Sequence, residues 1–237
     1  MKKLATVLLL IWFTGCVSTT NKINRAVNQE TNNDVTSNTF FSEKYPELSI
    51  KINDRLSYLG HFYEEKYIEY QDISGGSTHD FDYYYFIQSG PNKKISKLIE
   101  IRINKIRSGW LGAEMFPWMK PNFSSGTTEY LGKKYQFGTT VTGFGNGKNS
   151  NYILEKGYIL PNSFLVKGIG RRTGRDNNIA FHVYYAEDIN EIGGAYTNIK
   201  DWKKETGLNE EQNEILNSFL DRAGNSFEFS ELELPKK

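Results

Sequence analysis

The chain has 237 residues, one cysteine, and 29 Lys and Arg against 28 Asp and Glu, for a formal net charge of +1. One cysteine excludes an intrachain disulfide and a zinc site built from several thiolates. The near balance of charge gives nucleic-acid binding little support, and the length is ample for a buried core.

Residues 1–16 read MKKLATVLLLIWFTGC. Lys2 and Lys3 make a basic start, Leu4 to Phe13 carry no charge, and small Thr14 and Gly15 precede Cys16; this is the pattern of a secretory signal. A transmembrane helix needs about 20 apolar residues, and this run is about half that long. Polar sequence resumes at Ser18, so no permanent span is expected. The segment Phe13-Thr14-Gly15-Cys16 resembles the bacterial lipobox, although Phe13 stands where that family prefers Leu. The resemblance implies cleavage before Cys16, diacylglycerol on its sulfur and a palmitate-type acyl chain on the new amine. Each buried CH₂ contributes about 0.8 kcal/mol, and two or three chains give stable anchoring. The implied partner is a lipid bilayer, reached through acyl chains on Cys16. Val17 follows the cysteine where an inner-membrane retention signal would have Asp. By resemblance to Gram-negative sorting rules, this implies the outer membrane. The alternative is an ordinary secretory signal in which the cysteine is coincidental.

Residues 16–39 are rich in Asn, Thr and Ser and poor in large apolar groups, so they read as an acylated cysteine and a tether. A single β-rich domain is expected over 40–237. Leu48, Ile50 and Ile52 alternate with Ser49 and Lys51, and Leu56, Tyr58, Gly60 and Phe62 repeat the period of two. Residues 66–73 and the run FDYYYFI (81–87) suit strands, because aromatic side chains fit a pleated surface. Ile99, Ile101 and Ile103 alternate with Glu100, Arg102 and Asn104, which predicts a strand with one face in water. Residues 127–131 and 134–142 flank a hairpin turn at Gly132-Lys133. Three more strands are expected at 151–160, 163–171 and 178–186, the last two joined by the turn TGRDNN.

Near the C-terminus Asn209 can cap a helix, with Glu210 and Glu211 at its positive end. Ile215, Leu216, Phe219, Leu220 and Ala223 form its apolar stripe, and Gly224 can end it. A short helix around 199–205 and a last strand at Phe227 and Phe229 complete the reading. The fold class is α+β: a predominantly antiparallel sheet with one C-terminal amphipathic helix packed on it. The strand order closed by EEQNEILNSF resembles the PsbP/Mog1-type α+β sandwich. That resemblance speaks to fold and not to function.

Candidate sites are few. His79, Asp80 and Asp82 offer an imidazole and two carboxylates to a divalent ion, with Asp80 and Asp82 on one strand face; the same residues also suit a plain polar turn. GFGNGKNS (143–150) lacks the first glycine and the Ser or Thr of a phosphate loop, and GIGRRTG (168–174) misses the dinucleotide spacing. Both read as hairpin material, and no cofactor is expected. Lys167, Arg171, Arg172 and Arg175 could form a basic patch for an anion or lipid headgroups, or a solvated hairpin tip. The run SGWLGAEMFPWMKPNF (108–123) carries Trp110, Phe116 and Trp118. It is either a partner-binding surface or a loop closing the core. Together these point to an envelope lipoprotein with a non-enzymatic binding, assembly or structural role, with a possible envelope protein partner. The alternative is an envelope hydrolase whose site is assembled from residues distant in sequence.

Overall fold

The computed structural model describes residues 33–69, 75–107, 123–202 and 207–232. Their strands are β1 (Asn33–Thr36), β2 (Thr39–Ser42), β3 (Leu48–Ile52), β4 (Ser57–Glu69), β5 (Gly76–Ser89), β6 (Ile95–Ile106), β7 (Ser124–Tyr130), β8 (Lys133–Thr142), β9 (Phe164–Thr173), β10 (Ile179–Asp188) and β11 (Phe227–Ser230). Helices are α1 (Lys148–Glu155), α2 (Ile189–Ile192), α3 (Ile199–Trp202) and α4 (Glu210–Gly224). The small sheet runs β1-β2-β3-β11 and the large one β4-β5-β6-β10-β9-β8-β7. All pairings between these strands are antiparallel.

The two sheets face one another across the main core. Phe40, Leu48, Ile50 and Ile52 of the small sheet bury against Ile99, Ile101, Ile103, Phe181 and Val183 of the large one. The Phe40 ring meets Tyr84 edge-on at 4.9 Å, a geometry that adds quadrupole attraction to area burial. Helix α4 covers the rest of this inner face with Leu216, Phe219 and Ala223. Its N-terminus carries a capping box: Gln212 N donates to Asn209 Oδ1 at 2.9 Å, and Asn209 N donates to Gln212 Oε1 at 3.1 Å.

The opposite, outer face of the large sheet is also covered. Phe81, Tyr83, Tyr85 and Ile87 of β5 pack there with Leu98, Tyr184 and Val166, under Ile153 of α1. This double burial corrects the expectation for β6. Glu100, Arg102 and Asn104 are 3%, 8% and 3% exposed, so they line a second core and not a solvent face.

Four further differences have local causes. The sheet begins at Asn33, inside the segment read as tether, because β1 pairs with β2 along the register Asn33↔Ser42 to Thr36↔Thr39. A short edge strand with one packed side chain, Val35, tolerates such polar composition. In β4 a bulge between Tyr58 and Gly60 moves the alternation from one face to the other. Tyr58 therefore packs against inner Phe86, while Phe62 packs against outer Tyr83, both in tilted ring contacts. The expected strand at 151–160 is helix α1 and a turn, and the glycine-rich run 143–150 leads into that helix instead of a hairpin. Ser150 Oγ donates to Gly147 O at 2.8 Å, satisfying a carbonyl at the helix entrance. The β7–β8 turn is Leu131-Gly132, both at positive φ (51° and 65°), one residue earlier than expected.

Candidate functional site

Two places in the described structure concentrate chemistry. The first is buried, at the centre of the outer face. Cross-strand register aligns Tyr83, Arg102 and His182 in one row and Tyr85, Glu100 and Tyr184 in the next. Arg102 Nε donates to Glu100 Oε1 at 2.7 Å, and its guanidinium lies 5.0 Å from the Tyr83 ring centroid and 5.1 Å from that of Tyr184. Burial pushes Glu100 up while Arg102 pulls it back, and the guanidinium stays charged. Burial first, then Arg102, pushes His182 down to about 3, so this ring is neutral.

Beside this row runs a hydrogen-bonded chain. Ser77 Oγ and His79 Nε2 are 2.6 Å apart, and His79 Nδ1 and Asn104 Oδ1 are 2.9 Å apart. Since Asn104 Oδ1 only accepts, Nδ1 carries the proton and Nε2 accepts from Ser77. Burial lowers the His79 pKa, partly offset by Asn104 and Asp80. Ser77 and His79 are 1% and 5% exposed.

The metal candidates do not converge. His79 points to the outer face, whereas Asp80 and Asp82 point to the inner one, as strand alternation requires. Asp82 takes His61 at 2.8 Å, and Asp80 takes Arg107 Nε at 2.8 Å and the Tyr63 hydroxyl at 2.5 Å. Burial alone would raise Asp80, but the bonds from Arg107 and Tyr63 outweigh it and hold the carboxyl low. No group of three or more His, Cys, Asp or Glu among the described residues is placed to hold a metal ion.

The basic patch also divides. Lys167 lies on the inner face opposite Tyr185, half-buried, and burial lowers its pKa. Arg172 lies on the outer face opposite Ala180, and Arg175 sits in the turn. Arg171 alone reaches the second place of interest, an open cleft of about 680 Å³ between the loop after β2 and the β8–β9 surface. Arg171 lies over the Tyr135 ring, 5.5 Å from its centroid. Lys133 flanks this pair, and Glu47 and Lys44 stand on the loop, with Glu231 at the C-terminal end of the cleft. Tyr135 and Leu48, 2% and 1% exposed, are its floor. Lys44, Lys133, Arg171, Glu47 and Glu231 make no ion pair among the described residues.

Cys16, Trp110, Phe116 and Trp118 lie outside the described residues. Phe123, at the end of the aromatic run, packs edge-on against Trp202 at 5.9 Å in the main core. Sequence reading missed Glu100, Arg102 and Asn104, for which no local signal distinguishes a covered face from a wet one. It also missed the pairing of Arg171 with Tyr135, which only the β8–β9 register creates. No family model matches the chain, and neither does any curated protein or any solved structure.

Proposed function

We propose that this chain is a lipid-anchored protein of the bacterial envelope whose β-rich domain binds a ligand or partner without transforming it. The anchor rests on Lys2 to Cys16, read as a lipobox-type signal, with the outer membrane as the destination. The binding role is carried by the cleft beside β8 and β9, where Lys44, Lys133, Arg171, Glu47 and Glu231 surround an apolar floor and make no ion pair among the described residues. A concavity with an apolar floor and a few charged groups around it is the usual form of a ligand site. No helix among the described residues is long and apolar enough to cross a membrane. In this reading α4 completes an α+β sandwich. Metabolic labelling with a fatty-acid analogue tests the anchor. The wild-type chain takes up label and sediments with membranes, and Cys16→Ser does neither; labelling of Cys16→Ser ends the lipoprotein reading.

A second reading, the envelope hydrolase, has one specific support: Ser77, His79 and Asn104 stand as a nucleophile, a base and the group that orients the base. Its test is covalent labelling of the full chain with a fluorophosphonate. The binding reading expects no adduct, because Ser77 is closed from solvent. An adduct on Ser77 that His79→Ala removes replaces it with the hydrolase.

A further inference from the structure

The cleft's charges are sorted by wall. The strand side carries only cations, Lys133 and Arg171, while the loop after β2 and the C-terminal segment carry three carboxylates, Glu43, Glu47 and Glu231, and one cation, Lys44. Glu47 and Glu231 stay beyond ion-pair distance of Lys133 and Arg171 among the described residues, so neither sign is neutralised across the cleft by the other. Between them lie Tyr135, Leu48 and Leu131. A ligand that satisfies this arrangement carries a negative group at one end, a positive group at the other and apolar substance in the middle. The planar fork of Arg171, held over Tyr135, suits a carboxylate taken by two nitrogens. The volume of about 680 Å³ falls within the range of small-ligand sites.

We propose that the cleft binds a short peptide, its terminal carboxylate on Arg171 and Lys133, its amino terminus toward Glu47 and Glu231, and its apolar side chains on Tyr135 and Leu48. A zwitterionic lipid headgroup shares the charges but has no side chains for the apolar floor, which favours the peptide. This inference deepens the binding reading and rests on it; it does not depend on the anchor.

The experiment is calorimetric titration of the full chain in detergent with the tripeptide Ala-Leu-Phe, whose only charges are its termini. Parallel titrations use its C-terminal amide, its N-acetyl form, inorganic phosphate and vesicles of phosphatidylethanolamine. The tripeptide binds, and the amide binds about tenfold more weakly, as loss of a charge-assisted pair requires. Arg171→Gln weakens the free acid about tenfold and leaves the amide unchanged. Lys133→Gln, at an exposed position, acts in the same direction by a smaller factor and serves if Arg171→Gln does not fold. Equal binding of acid and amide, phosphate as strong as the tripeptide, or binding of the vesicles alone overturns the peptide site. Absence of tripeptide binding overturns it too. The binding reading then stands only if the full chain still captures an envelope partner at another surface.

Discussion

Arg222 of α4 grips Glu187 of β10 with both ends of its fork: Nε lies 2.9 Å from Oε1, and a terminal nitrogen lies 2.8 Å from Oε2. Glu187 is fully buried, and its other contacts are the Tyr185 hydroxyl and, at 3.7 Å, Lys97 Nζ. The pair pins the helix to the central region of the large sheet. Glu187 is buried and Arg222 partly exposed, so removing the arginine leaves a buried carboxylate short of its main partner. Arg222→Met is expected to cost about 2 kcal/mol, reduced from the fully buried case because Lys97 and Tyr185 remain. The urea midpoint falls with an unchanged slope; a loss below about 0.5 kcal/mol would show the pair to be dispensable.

His182 makes stability depend on pH. Its pKa is about 3 in the folded chain against 6.5 for an ordinary histidine. Between those values the unfolded chain binds the extra proton, so stability is complete above 6.5 and declines as pH falls. Glu100, raised by burial, works in the opposite sense. From pH 7 to pH 5 the histidine contribution amounts to about 2 kcal/mol. Urea unfolding of wild type and His182→Gln at both pH values isolates it. The gap between the two proteins narrows at pH 5; a constant gap contradicts the assignment.

Gly60 has φ +146°, and a Cβ there would overlap the Tyr152 hydroxyl of α1. Gly60→Ala is expected to cost about 2 kcal/mol from backbone strain and steric conflict together. Tyr152→Phe relieves the second part only, since the next ring carbon is 3.4 Å away. The double variant should therefore be more stable than the sum of the singles by at least about 0.5 kcal/mol. Strict additivity would mean that the hydroxyl is not the obstacle.

Asn209→Ala removes the acceptor for Gln212 N and the donor to the Tyr196 hydroxyl at 2.8 Å. The loss is about 1 kcal/mol, the usual value of an N-cap, read by thermal unfolding. Asn209→Ser retains an acceptor and recovers most of it.

Strands were legible where one period served one core. Leu48, Ile50 and Ile52 announce β3, and Ile99, Ile101 and Ile103 announce β6. What the pattern could not say is that the alternate residues of β6 are covered as well. That depends on β5 and α1, and the one hint lies outside β6, in the largely aromatic run FDYYYFI of its neighbour. Eight residues of α1 containing Tyr152, Ile153 and Leu154 suit a strand as well as a helix, since a short apolar run does not fix its own period. The bulge beside Gly60 is a matter of register, which composition does not carry. At the candidate sites, alternation already set His79 against Asp80 and Asp82, whereas the meeting of Arg171 with Tyr135 and of Ser77 and His79 with Asn104 exists only after strand pairing.

The small sheet is built from the beginning and the end of the described chain, with β3 flanked by β2 on one side and β11 on the other. The pairing of Ile50 with Phe229 closes a loop that contains the entire large sheet. Contacts of such separation are entropically late, because loop closure must be offset before the pairing rewards it. The large sheet, whose neighbours are mostly successive hairpins, can form first, and the small sheet shuts over it like a clasp when the last strand arrives. During synthesis β3 lacks its neighbour on one side until β11 has emerged. Loss of Phe227–Ser230 would leave that edge of β3 with unpaired backbone groups and turn an internal strand into an exposed template for pairing with another chain.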